Sequence, residues 1–250
     1  MTAIATPRVA TARRIGTTLR IHAANPWAIV YTPWLILMGV FLLNFSIWHL
    51  VLRAAGDRGV NPDAFHYNGG VSWVLFYMVV VAVQAMNQTF SFVVGLGATR
   101  RDYFLGTAVL FVGLSLMYGV GIAAFAGLER ATDGWGVSGW FFAPWTFATM
   151  PLWEVAVVYT LVMLFMFFGG STVAAVFVRW GANGIILFFA SVAVLIVASL
   201  YAITQLEAWD AVGQFFSGRD ANQLALMSLV VTVAAGFVGY ALMRRATPKG

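Results

Sequence analysis

Few residues of this chain are of a type and spacing that could do chemistry. The densest group is Gly97-Ala98-Thr99-Arg100-Arg101-Asp102-Tyr103-Phe104. Thr99 and Asp102 stand in the T-x-x-D relation of a helix-capping pair, so a short new helix is expected to start there. Arg100 and Arg101 would lie on its exposed face, open to the carboxylates or backbone carbonyls of a partner. A plain tight turn, whose arginines only fix topology, would use the same residues. A second group is Gln84, Asn87 and Gln88, spaced i, i+3 and i+4 and therefore on one helical face, with Asn44 as a candidate partner. Amides inside an apolar stretch either line a pathway or a subunit interface, or hydrogen-bond one helix to the next. Glu154 is the remaining candidate, either as a proton-linked group or as a solvated acid.

Enzymatic signatures are missing. There is no G-x-x-x-x-G-K-[ST] phosphate loop, and the sole lysine, Lys249, is the penultimate residue. Neither a G-x-S-x-G elbow nor an H-E-x-x-H helix occurs. Gly119-x-Gly121-x-x-Ala124 mimics a dinucleotide fingerprint, but it sits inside an apolar segment rather than after a strand. The histidines His22, His49 and His66 are scattered, and the chain has no cysteine. That lack excludes disulfides, thiolate catalysis and cysteine-based metal sites. The expectation is a non-enzymatic chain with no catalytic residue, metal site or cofactor of its own.

The elements that must hold these groups follow from composition. Of 250 residues, 61% are hydrophobic and 9% charged, against about 25% charged in a soluble domain. Too little polar material remains to coat a water-soluble surface, so the bilayer must solvate most of the chain. A crossing needs about 20 mainly apolar residues. Six segments qualify: 27–51, 70–94, 104–127, 151–178, 184–205 and 223–243. The predicted fold is therefore all-α, a single six-span membrane domain. Asn25 and Pro26 are placed to start the first span, and Asn183 to cap the fifth. Gly169-Gly170-Ser171 predicts a kink or a strong tilt in the fourth. Segment 8–24 carries Val9, Ala12, Ile15, Leu19 and Ala23 at helical spacing, with Arg13, Arg14 and Arg20 on other faces. It is expected to form an amphipathic interfacial helix and not a cleavable signal.

Charge sets the orientation. With the N-terminus inside, Arg8, Arg13, Arg14, Arg20, Arg100, Arg101, Arg179, Arg244, Arg245 and Lys249 are cytoplasmic, while Arg53, Arg58, Arg130 and Arg219 are external. That excess places both termini in the cytoplasm and accounts for the net charge of +5 without a nucleic-acid partner. Leu206, Trp209, Val212 and Phe216 predict a short helix lying at the outer interface or dipping into it, or serving only as an aromatic anchor at the headgroups. Trp135, Trp140, Phe141, Phe142, Trp145, Phe147 and Trp153 are expected to form an aromatic belt at the headgroups.

The stretch from Phe90 to Phe104, with Gly97-Ala98-Thr99-Arg100-Arg101 and the aromatic Tyr103 or Phe104, resembles the region joining span two to the coupling helix in type-2 ABC transporter permeases. An amphipathic N-terminal helix, six spans and cytoplasmic termini extend the likeness over essentially the whole chain, although the 206–222 loop is modest for the family. The resemblance implies the membrane subunit of an exporter in a bacterial plasma membrane. It implies a separate ATPase subunit that binds ATP and Mg, docks on residues 97–104 and drives half of a pathway completed by a second copy or a related permease. Two other classes fit the composition: an ATPase-independent channel or carrier, and a non-transporting assembly or immunity subunit.

Overall fold

The computed structural model describes residues 16, 25–56, 59–61, 64–95 and 99–244. Among these residues the regular elements are all helical: α1 (Trp27–Ala55), α2 (Ser72–Gln84), α3 (Phe90–Gly95), α4 (Arg100–Ala131), α5 (Leu152–Gln205), α6 (Trp209–Ser217) and α7 (Ala221–Arg244). Four of them, α1, α4, α5 and α7, are long and apolar enough to cross a bilayer. A π-helical turn over Ala85–Thr89 joins α2 to α3 into one further helical run. The predicted 8–24 helix lies outside the described residues except for Gly16, which is helical.

α5 shows how sequence, backbone and packing combine. It contains 54 residues, but Gly181 interrupts it with φ 69° and ψ −156°, a conformation open essentially to glycine alone. The chain turns back there. A straight helix would set Gln205 ~77 Å from Glu154. Yet Asn222 hydrogen-bonds Glu154, and the 17 residues from Gln205 to Asn222 span at most ~61 Å even when fully extended. α5 is therefore two arms, 152–180 and 182–205. At Gly169-Gly170 the backbone stays in helical φ/ψ. Gly170 lets α2 come close, since a Cβ there would lie 2.9 Å from the Val79 carbonyl oxygen. Asn183 does not cap the second arm, because the reversal comes two residues earlier. The cap position of the first helix is Pro26, with no side-chain cap bond from Asn25.

The first arm of α5 runs parallel to α7. Glu154 meets Asn222 near one end, and Thr172 Oγ1 donates to the Ala235 carbonyl at 2.8 Å further along. Small residues allow this approach: a Cβ on Gly239 would lie 3.3 Å from Thr172 Oγ1. Gly119 does the same between α4 and α5, where a Cβ would sit 2.8 Å from the Ala156 carbonyl.

α1 is displaced along the bundle. Its opening carbonyls accept hydrogen bonds from the buried Tyr118 hydroxyl, 2.9 Å to Ile29, and from Tyr77, 3.1 Å to Ala28. Tyr118 lies ~27 Å along α4 from Arg100. α1 therefore begins level with the middle of α4, not with its start.

The main core lies among α1, α2, α4 and the first arm of α5, around Leu37, Met78, Tyr118, Met163 and Phe167. A smaller core at the Arg100 end gathers Met86, Phe90, Val93, Tyr103, Ala174, Ala175 and Met243. The second arm of α5 is exposed from Phe189 to Gln205 except at Ile203, and exposed apolar side chains such as Val230 and Phe237 cover α7. Such a surface is compatible with a chain whose solvent is lipid.

Candidate functional site

The Thr99–Phe104 stretch gathers at one end of the bundle with the C-terminus of α7. Thr99 is extended and its Oγ1 accepts from the Asp102 N–H at 3.1 Å, so Thr99 is the N-cap. The helix that follows is not a short separate one, because α4 continues unbroken from Arg100 to Ala131. Burial explains this. Tyr103 is 1% exposed, its hydroxyl donates to the Ala85 carbonyl and its ring meets Phe90 edge-on at 5.4 Å. Phe104 lies 5.2 Å from the Tyr240 ring. A first turn held on both sides is the root of a long helix and has no freedom to lie apart as its own element.

The two arginines differ. Arg100 is half-buried, and its guanidinium donates to the Arg244 carbonyl at 2.7 Å. That bond satisfies an orphan carbonyl at the C-terminus of α7 and places positive charge at the negative end of its dipole. Arg101 is exposed, whereas Asp102 is buried. Of the eight sequence-predicted residues, Gly97 and Ala98 lie outside the described residues, and Arg101 is the side chain most open to a partner. Arg179 and Arg244 line a small notch at this same end, so four arginines share one end of the fold.

Of the four amides, the structure describes the side chains of Gln84 and Asn44. Gln84 is exposed beside Ala85, at the arginine end. The α-helix ends at Gln84, and a π-helical turn follows over Ala85–Thr89. The side chains of Asn87 and Gln88 are outside what is described. Asn44 accepts from Asn68 Nδ2 at 3.0 Å and donates to Val40, at the opposite end. The expected pairing of Asn44 with the amides of span two is therefore replaced by a loop contact.

The most constrained polar group was not among the predicted site residues. Glu129 is fully buried. Its Oε2 accepts from Trp135 Nε1 at 2.9 Å, Phe141 N at 2.7 Å and Phe142 N at 3.1 Å, while Oε1 accepts from Phe142 N at 3.1 Å and Ala143 N at 2.9 Å. This one carboxylate folds the 132–151 connection over the end of the bundle. Beside it Arg130 donates to the Phe147 carbonyl, and Tyr159 to that of Phe142. The connection pays in backbone strain, with Asp133, Trp135, Ser138 and Trp145 all at positive φ. Phe141 and Phe142 are fully buried against Phe41 and Phe125, so they are core residues and not members of an aromatic belt. Trp145 and Trp153 are each 67% exposed and remain suited to a headgroup position. The signal in the sequence was an apolar loop, Trp140-Phe141-Phe142-Ala143-Pro144, too greasy to stay in water, with an acid upstream that could bind its N–H groups.

Glu154 is half-buried and accepts from Asn222 Nδ2, joining the starts of α5 and α7. Among the described residues no group of His, Asp or Glu is arranged to hold a metal ion. No family model, curated protein or solved structure matches the chain.

Proposed function

We propose that this chain is the membrane-spanning subunit of an ATP-driven exporter of the type-2 ABC permease kind. The observation that carries the reading is the start of α4. A Thr99-capped turn presents Arg101 outward and roots directly in a 32-residue helix. Force applied at Arg101 would therefore reach the Glu129-pinned connection through one rigid element. The four clustered arginines support a cytoplasmic assignment of that end. Counting α1, the α2–α3 run, α4, the two arms of α5 and α7 gives six crossings. Both termini would then be cytoplasmic in a bacterial plasma membrane, with α1 strongly tilted or outwardly displaced.

In this reading the chain is not an enzyme. ATP and Mg are bound by a separate ATPase subunit, and a second copy or a related permease completes the pathway. The second arm of α5 offers the broadest uncovered apolar surface for that pairing. Conformational coupling would be a rigid-body rearrangement between two arrangements of the packed helices.

The test is to tag the full chain, solubilise it from its native membrane and identify any co-purifying Walker-motif ATPase. Arg101→Glu, at an exposed position, is expected to abolish the association without unfolding the chain. Arg100→Glu is a poorer probe because it also breaks the α7 contact. Absence of an ATPase from the wild-type preparation would refute the reading and favour a stand-alone channel, carrier or assembly subunit.

A further inference from the structure

A lateral groove of about 600 Å³ lies between α4, the first arm of α5 and α7. Phe104 and Val112 contribute from α4, Leu164 and Phe168 from α5, and Val233 and Phe237 from α7. Phe237 is 71% exposed, so the groove opens sideways toward the surrounding lipid. Its length from Arg101 to Val112 is roughly 16 Å. Polarity runs one way along it. Arg101 stands at one mouth with Tyr240 close by, and beyond them the only polar lining residue is Thr232. The Thr232 hydroxyl already donates to the Ser228 carbonyl at 2.9 Å, so nothing in the interior asks for a polar ligand.

We propose that this groove is a binding site for an anionic glycerophospholipid, with one acyl chain between α4, α5 and α7 and the phosphate at Arg101. Charge complementarity identifies the occupant. The apolar interior accepts any acyl chain, but a guanidinium at the mouth favours a headgroup with net negative charge over a zwitterionic one. Arg179 and Arg244 on the same end deepen the positive field. Gly236 keeps the groove open, since a Cβ there would already stand 3.2 Å from the Phe168 ring. An ATPase docked at Arg101 would compete with the phosphate for the same guanidinium, so the lipid site is read on the chain freed of any ATPase.

The full chain, purified in detergent, is exposed to an equimolar mixture of phosphatidylglycerol and phosphatidylethanolamine, and retained lipid is counted by native mass spectrometry. Wild type is expected to retain phosphatidylglycerol about fivefold over phosphatidylethanolamine, the value of one interfacial arginine. Arg101→Gln should bring that ratio close to one while some lipid of both kinds stays bound. Gly236→Leu, which fills the groove, should lose both lipids. Val233→Trp fills it from the open side and provides the same test if Gly236→Leu does not fold. The proposal is overturned if wild type shows no preference or if Arg101→Gln retains it. It is equally overturned if the groove-filling variants bind phosphatidylglycerol normally, because the lipid would then be held by surface charge alone.

Discussion

Replacing Glu129 with Gln preserves shape and removes charge, so it isolates what the carboxylate does. Four N–H groups converge on its two oxygens. A glutamine that keeps its carbonyl in the Oε2 position can still accept from Trp135, Phe141 and Phe142. Its NH₂ then faces the Ala143 N–H across a gap of about 2.9 Å, donor against donor. One buried N–H is left unpaired, which costs ~1–3 kcal/mol, and the surviving bonds lose the roughly twofold strengthening that charge gives them. The sum is about 3 kcal/mol. For a chain of this size that corresponds to a fall of roughly 6–12 °C in the thermal unfolding midpoint. Glu129→Ala orphans all four donors and should cost more, ~4 kcal/mol or above. The assay is thermal unfolding in detergent together with hydrogen exchange at residues 141–143. Those amides should lose protection first, since the carboxylate is their only partner here. A midpoint within 1 °C of wild type, with protection at 141–143 unchanged, would refute the idea that Glu129 holds the connection in place.

Five further substitutions, in three tests, probe the packing. Gly119→Ala should destabilise by ~1–3 kcal/mol through overpacking against Thr160 and Ala156, whereas Gly39→Ala, which meets nothing within 4 Å, should stabilise by up to ~1 kcal/mol; unfolding midpoints of the pair decide. Gly181→Ala forces an L residue into φ 69° and should cost ~1–3 kcal/mol, while Gly169→Ala in open helical space should not, as read by the same melts. Ser115 is buried with its hydroxyl unpartnered, so Ser115→Ala should raise stability by about 1 kcal/mol, and a fall in the midpoint would show that the hydroxyl has a role.

By itself the sequence determined the element type. With 61% hydrophobic residues and 9% charged, long apolar helices are expected, because in lipid the backbone groups would have to pair within their own helix. Thr99 was legible as a cap because N-capping is local, a matter of a hydroxyl and an N–H three residues on. The short helix at 206–222 was legible for the same reason: its apolar spacing is a property of neighbours along the chain, and α6 lies there.

What depended on residues distant in sequence was decided only in three dimensions. Tyr103 and Phe104 had the composition of a docking helix, but burial against Phe90, Ala85 and Tyr240 made them the root of α4. Gly169-Gly170 and Gly181 are equally able to break a helix; Gly181 does so, while Gly170 stays helical and gives α2 room to approach. Asn44 found Asn68 in place of the amides of span two, because the hydroxyls of Tyr77 and Tyr118 fix α1 partway along the bundle. Phe141 had the composition of an aromatic belt, and Glu129 belonged to no motif. They became the interior of the fold because an apolar loop gains by burial only when its N–H groups have an acceptor there, and one glutamate, held at the end of α4, supplies it.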